Sequence, residues 1–172
     1  MWRAIYIRAA AGSRTRGWLR AGPLVWPVAL GRGGILANKR EGDGATPRGV
    51  FRPVRVWFRA DRSARCSTRL PVRRITPGDA WCEDPADRRY NRAIRLSGGQ
   101  TGDRLRRDDH LYDLIVEIDH NTRPRVAGRG SAVFLHLARP GLGPTAGCVA
   151  MPKGRLRHLL GKLGTRTKIN IS

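Results

Sequence analysis

The chain is poor in the residues that most often advertise a function. It has three cysteines, Cys66, Cys82 and Cys148, with no Cys-x-x-Cys and no His-x-x-x-His spacing. The common zinc frameworks are therefore excluded, and no metal site is expected. An odd number of cysteines leaves at least one thiol free in a monomer. A Cys66–Cys82 bond stays open on spacing alone, although nothing else marks a disulfide scaffold. Long apolar runs are missing as well: Pro23 to Leu30 contains two prolines and falls far short of the roughly 20 residues that a spanning helix needs. A membrane-spanning protein is not expected, and because this run begins late there is no clear signal peptide. Aromatics are only 6% of the chain, and neither a zinc finger nor a reading helix is recognisable, which argues against nucleic acid as the partner.

Acids are scarce too. Thirteen Asp and Glu face 34 Lys and Arg, giving a net charge of +21. Lys39, Lys153, Lys162 and Lys168 are the only lysines, so 34 less these four leaves 30 arginines. They are scattered rather than gathered into a basic tail, which fits a solvated basic surface. Two origins of the skew stay open: a bias of the coding sequence, or a polyanionic partner.

What is present reads as a β-rich domain. At 172 residues with 40% hydrophobic content the chain can bury a core, and residues 1–172 are expected to form one domain. Short runs of Ile, Val, Tyr, Phe and Trp bounded by Gly, Pro and Asp predict strands over 4–8, 17–20, 24–30, 54–58, 112–118, 132–137, 149–151 and 168–171. In the fifth, Tyr112, Leu114, Val116 and Ile118 are expected to share one face. After Pro152 the period changes: Leu156, Leu159, Leu160 and Leu163 predict one amphipathic helix, with Gly164 as its stop. Gly31 to Gly34 reads as a hairpin turn. The glycine-rich stretch 40–51 lacks the Gly-Lys-Ser/Thr ending of a phosphate loop, so it is read as a turn holding a loop near a site.

One constellation carries chemistry. An apolar run, Ala132 to Leu137, brings His136 to its end; a loop of Gly and Pro follows; then Thr145-Ala146-Gly147-Cys148 opens a second apolar run. A thiol needs a base or a positive neighbour to become nucleophilic, and adjacent strands joined this way would set the imidazole beside the sulfur. Gly147 allows a sharp turn or a close approach of backbone. Backbone N–H groups around Ala146, Gly147 and Cys148 are then candidates for an oxyanion site. Thr145 either donates a hydrogen bond near the cysteine or caps the turn. His110, His120 and His158 lack such a setting and are not expected to be catalytic.

These residues resemble the L,D-transpeptidase catalytic domain, also called the YkuD domain. Its signature places a histidine on one strand and, after a loop, Ser/Thr-x-Gly-Cys leading into another: here His136 and Thr145-Ala146-Gly147-Cys148-Val149. Lys39 to Phe51 is similar to the family's Lys-x-x-Gly-Asp-x-x-Thr-Pro-x-Gly-x-Phe element, and Trp81-Cys82-Glu83-Asp84-Pro85 with Tyr90-Asn91 resembles a segment of one bacterial subgroup. The chain departs from the common pattern at Leu137, where many members have Gly, and at Ala150, where many have Arg or Asn. The resemblance implies a mainly β fold, a YkuD-like sandwich or barrel of mixed strands with one or two short helices. It further implies a cofactor-free cysteine acyltransferase, with Cys148 as nucleophile and His136 as acid/base. The implied substrates are peptidoglycan tetrapeptide stems, met in the periplasm or cell wall. The alternative is a non-catalytic basic protein that binds an anionic cell-wall polymer or nucleic acid.

Overall fold

The computed structural model describes all residues, 1–172. Ten strands form one curled mixed sheet, a half-barrel with a single short α-helix. In chain order the strands are β1 (Ala4–Ala9), β2 (Arg16–Ala21), β3 (Leu24–Ala29), β4 (Ile35–Leu36), β5 (Thr46–Pro47), β6 (Gly49–Phe51), β7 (Pro53–Phe58), β8 (Val72–Arg74), β9 (Asp79–Trp81), β10 (Ala93–Arg95), β11 (Asp103–Arg104), β12 (Leu114–Ile118), β13 (Phe134–Leu137), β14 (Val149–Met151) and β15 (Lys168–Ile171). The large sheet runs β6-β15-β1-β2-β3-β14-β13-β12-β7-β8; β10-β9-β11 and β4-β5 make two small ones. Most neighbours are antiparallel, but β1–β15, β7–β8 and β13–β14 of the large sheet and the β4–β5 pair are parallel.

Alternation along the strands separates two apolar clusters. The larger gathers Ile5, Ile7, Leu19, Val28, Val56, Leu114, Val116, Leu135, Val149 and Met151 beneath the helix α1 (Lys153–Leu160). Leu156, Leu159 and Leu160 of that helix, with Leu163 just beyond, are fully buried there. This is the apolar stripe of an amphipathic helix set on a sheet face. The smaller cluster lies on the opposite face and holds Trp57, Trp81, Tyr112, Ile115, Phe134 and Cys148.

All eight expected strands are present, with shifts at their ends. The third, predicted to end at Leu30, stops at Ala29, and the helix ends at Leu160 against Gly161 rather than running to Gly164. Tyr112 does not share the face of Leu114, Val116 and Ile118. The Asp113 N–H donates to the His110 carbonyl in a turn, the strand begins only at Leu114, and the tyrosine falls into the opposite cluster. Gly31 to Gly34 is a turn, closed by Gly34 N–H to Gly31 carbonyl, but not a hairpin: β4 leaves β3 and pairs parallel with β5. Cys66, Cys82 and Cys148 are all free thiols, with Cys66 and Cys82 in separate clusters. Strands β4 to β6 and β8 to β11 had no counterpart in the pattern, because two or three residues are too few to display a period.

Truncating Leu159→Ala should cost about 2–5 kcal/mol in a denaturant midpoint measurement, since a fully buried leucine leaves a cavity. The exposed Trp18→Ala should stay within about 0.5 kcal/mol.

Candidate active site

Strands β13 and β14 lie side by side, with Leu135 opposite Val149 and His136 opposite Ala150. The pleat sends Leu135, Leu137, Val149 and Met151 into the helix-covered core. It turns Phe134, His136, Cys148 and Ala150 to the other face, where the last three line a cavity of about 500 Å³. Ala150, where a longer side chain would stand directly beside the imidazole, leaves that space open.

The cysteine loop is held from beneath. Gly147 has φ of +143°, and a Cβ there would fall 2.8 Å from the Ala45 carbonyl oxygen, so only glycine permits this approach. Thr145 does both things open to it in the sequence: its hydroxyl donates to the Cys148 carbonyl at 2.6 Å and accepts the Gly147 N–H at 3.0 Å. Thr46 accepts the Gly31 N–H at 2.8 Å, and its hydroxyl reaches the same Cys148 carbonyl at 3.5 Å. Lys39, itself buried, is paired with Asp43. Burial works against charge on Asp43, but hydrogen bonds from Lys39 and from the N–H groups of Arg40 and Ala45 prevail and hold the carboxyl below its usual range. The stretch 39–46 is thus a strut under the cysteine, closer to it than a surface turn.

The thiol is buried and hydrogen-bonded to backbone. Cys148 Sγ donates to the Ala132 carbonyl at 3.2 Å and accepts from the Phe134 N–H at 3.3 Å. Ala132 sits at φ of +52°, which is why β13 starts two residues later than the apolar run, at Phe134. Burial pushes the thiol up to about 12, against the Phe134 hydrogen bond and with help from the charges of Asp103 and Glu83.

His136 is equally enclosed. Nδ1 lies 2.8 Å from the Leu137 carbonyl, and because a carbonyl only accepts, Nδ1 carries the proton and Nε2 keeps its lone pair. The Tyr112 ring stands edge-on to the imidazole with centroids 5.3 Å apart. Burial lowers the imidazolium to about 4; Arg107 and Arg139 add to this, and the Leu137 carbonyl opposes it. No hydrogen bond joins Nε2 to Sγ in the resting structure; the two groups share the cavity as diagonal neighbours. At neutral pH both are uncharged.

Around the loop, Gly147 N–H is taken by Thr145, whereas Ala146 and Cys148 N–H have no protein acceptor. Of the three N–H groups considered for an oxyanion, two are therefore free. His110 faces solvent beside Asp113, His120 bonds the Arg129 carbonyl, and His158 packs against Trp2 and Trp26; none lines the cavity.

A family model of the L,D-transpeptidase catalytic domain (YkuD) matches residues 5–171, nearly the whole chain. The chain belongs to this family. No curated protein and no solved structure gave a match. Membership brings a peptidoglycan substrate class and a cell-wall setting, and no helix here is long and apolar enough to cross a membrane.

In this L,D-transpeptidase-family domain the cavity is also lined by residues to which the sequence attached no site role: Lys39, Glu41, Glu83, Asp103, Arg107 and Tyr112. Asp103 arrives on β11 of the small sheet, and Glu83 lies two residues past the end of its β9. Trp81 stands edge-on to Phe134 with centroids 5.0 Å apart, and its indole N–H donates to Asn91 Oδ1 at 2.9 Å. The same Asn91 oxygen accepts the Ala132 N–H at 3.3 Å, tying this sheet to the backbone that supports the thiol. The Lys39 to Phe51 element and the Trp-Cys-Glu-Asp-Pro and Tyr-Asn pieces were the available signals, without a role attached.

Replacing Gly147→Ala should destabilise the fold by about 1–3 kcal/mol from backbone strain alone, before the clash with Ala45 is added, as read by thermal unfolding. The lowered imidazole pKa has a further consequence. The unfolded chain takes up the His136 proton first, so this stability is complete above pH 6.5 and is lost as pH falls toward 4. About 3 kcal/mol is at stake. His136→Asn should flatten that part of the stability–pH curve relative to the parent.

Proposed function

We propose that this protein is a cysteine acyltransferase acting on peptidoglycan stem peptides outside the cytoplasmic membrane, through a thioester on Cys148. The observation that carries the reading is a buried imidazole with its tautomer fixed and its basic Nε2 turned to the cavity that holds the thiol.

In the first half-reaction the thiol proton passes to His136 Nε2 as Sγ attacks the carbonyl at the L-centre of the stem's diaminopimelate. With the thiol near 12 and the imidazolium near 4, a resting thiolate–imidazolium pair is disfavoured. Proton transfer is therefore concerted with attack. Sγ must first leave the Ala132 carbonyl and swing toward the imidazole. The free N–H groups of Ala146 and Cys148 suit the developing oxyanion, as Thr145 holds the Cys148 carbonyl and shapes the turn. The C–N bond to the terminal D-alanine breaks, and its amine leaves with the proton from His136. An acceptor amine then attacks the thioester, gives a proton to His136, and the C–S bond breaks to return the thiol. The acceptor is another stem, giving a 3–3 cross-link, or a D-amino acid or a protein lysine. Water would give hydrolysis.

Incubation with a carbapenem should add the drug's mass to the intact protein, and Cys148→Ala should show no increment. Equal behaviour of the two proteins would remove the enzyme reading in favour of a basic wall-binding domain. The rate of Cys148 alkylation by iodoacetamide should climb about tenfold per pH unit from 7 to 10 without a plateau. A plateau reached near neutrality would show a preformed thiolate instead.

A further inference from the structure

Three carboxylates, Glu41, Glu83 and Asp103, line the cavity of the thiol. In a chain with 34 cationic side chains and 13 acids, an acid with no cation beside it calls for a reason. The Glu83 side chain makes no hydrogen bond and no ion pair, and lies two residues past Trp81, the last residue of β9. Glu41 accepts only from neutral hydroxyls, those of Tyr90 and Ser131. Asp103 accepts the Tyr112 hydroxyl at 2.7 Å; its nearest cation, Arg107, is 3.8 Å away and is committed to Asp109 at 2.6 Å.

The other cavity cations do not neutralise this wall. Lys39 belongs to Asp43, while Arg32 donates to the Gly42 carbonyl of the neighbouring loop at 3.5 Å and Arg139 to the Pro144 carbonyl of its own loop at 3.2 Å. Glu83 lines the cavity but is solvent-exposed. Surrounding protein first, then the charges of Asp103 and Glu41, push its carboxyl above the usual range, an effect that water moderates at an exposed group. An incoming cation would relieve that repulsion. Independently of the acids, His136 keeps only 5% of its surface and presents an unpartnered Nε2 to the same space.

We infer that Glu83, with Asp103 behind it, is the subsite for the ammonium of the acceptor, a primary amine of amino-acid or diamino-acid type. This rests on the acyl-transfer reading. The acceptor docks as R–NH3+ on the carboxylate wall and gives one proton to Glu83. The neutral amine nitrogen attacks the thioester carbon; the N–C bond forms and the C–S bond breaks. The second amine proton passes to His136 and on to the departing Cys148 sulfur, and Glu83 releases its proton to solvent. The products are an amide, the free thiol and one proton.

The test separates the two half-reactions in the full chain. Thioester formation is followed by intact mass with a carbapenem and with a tetrapeptide stem. Transfer is followed as the partition of the stem thioester between water and added diaminopimelate or D-amino acid. Glu83→Gln should raise KM for the amine by roughly tenfold or more, the worth of a lost hydrogen bond to a charged group, and lower the amine-to-water partition of the stem thioester, a ratio that does not depend on how fast the thioester forms. Glu83→Asp should recover part of that loss. An unchanged amine-to-water partition in Glu83→Gln overturns the subsite while leaving the acyltransferase intact. A raised KM for the stem in thioester formation, with transfer unaffected, also overturns it, since the wall would then hold the donor's own ammonium. Absence of any thioester in the parent protein removes the underlying reading and this one with it.

Discussion

Everything about the site depends on one close approach, the Gly147 backbone against the Ala45 carbonyl. A side chain at residue 147 would force the two loops apart. With them in contact, Thr145 and Thr46 both reach the Cys148 carbonyl, and the cysteine is carried onto the face opposite the hydrophobic core. The stretch 39–46 is folded on itself by the Lys39–Asp43 pair, so its carbonyl is presented by a stiff support. A buried ion pair adds little net stability in general, because desolvation offsets attraction. Its contribution here is geometric: it fixes where the cysteine turn can sit.

The second governing feature is that thiol and imidazole are both enclosed and both neutral at rest. Burial raises one and lowers the other, which widens the gap between them rather than closing it. A thiol kept protonated is protected from oxidation and stray electrophiles, as reactivity follows the thiolate. The Leu137 carbonyl holds the imidazole in one tautomer and provides the site for its positive charge when a proton arrives. In the proposed reaction, a substrate carbonyl placed near the free N–H groups would change the balance, favouring charge that the empty site disfavours.

The two faces of the sheet divide the work. One is closed by α1 and supplies most of the buried apolar surface; the other is left for a cavity whose far wall is the small sheet. Because Leu135 and His136 are neighbours on one strand, as are Cys148 and Val149 along the chain, core packing on one side sets the aim of the imidazole and the thiol on the other. A slip of one residue in β13 or β14 would bury the imidazole or the thiol under the helix.

The β-rich class, most long strands, the helix and the meeting of His136 with Cys148 in one cavity were legible in the sequence, for a common reason. Each is encoded by nearby residues: period two in β12 and β13, period 3.6 in the leucines after Pro152, and a glycine directly before Cys148. Strand ends and Tyr112 were misjudged where a turn interrupts alternation, as at Asp113 and Ala132. The acid wall was legible only as family-like segments around Glu41 and Glu83 with no role attached, and Asp103 not at all. Glu83, just past β9, and Asp103, on the two-residue β11, sit where no period shows, and the small sheet reaches the thiol through packing of Trp81 on Phe134 and the hydrogen bonds of Asn91. Local periodicity determined which residues face which side of a strand. Which distant segments close over that side was decided only in three dimensions, because such contacts depend on shape and desolvation across the fold rather than on spacing along the chain.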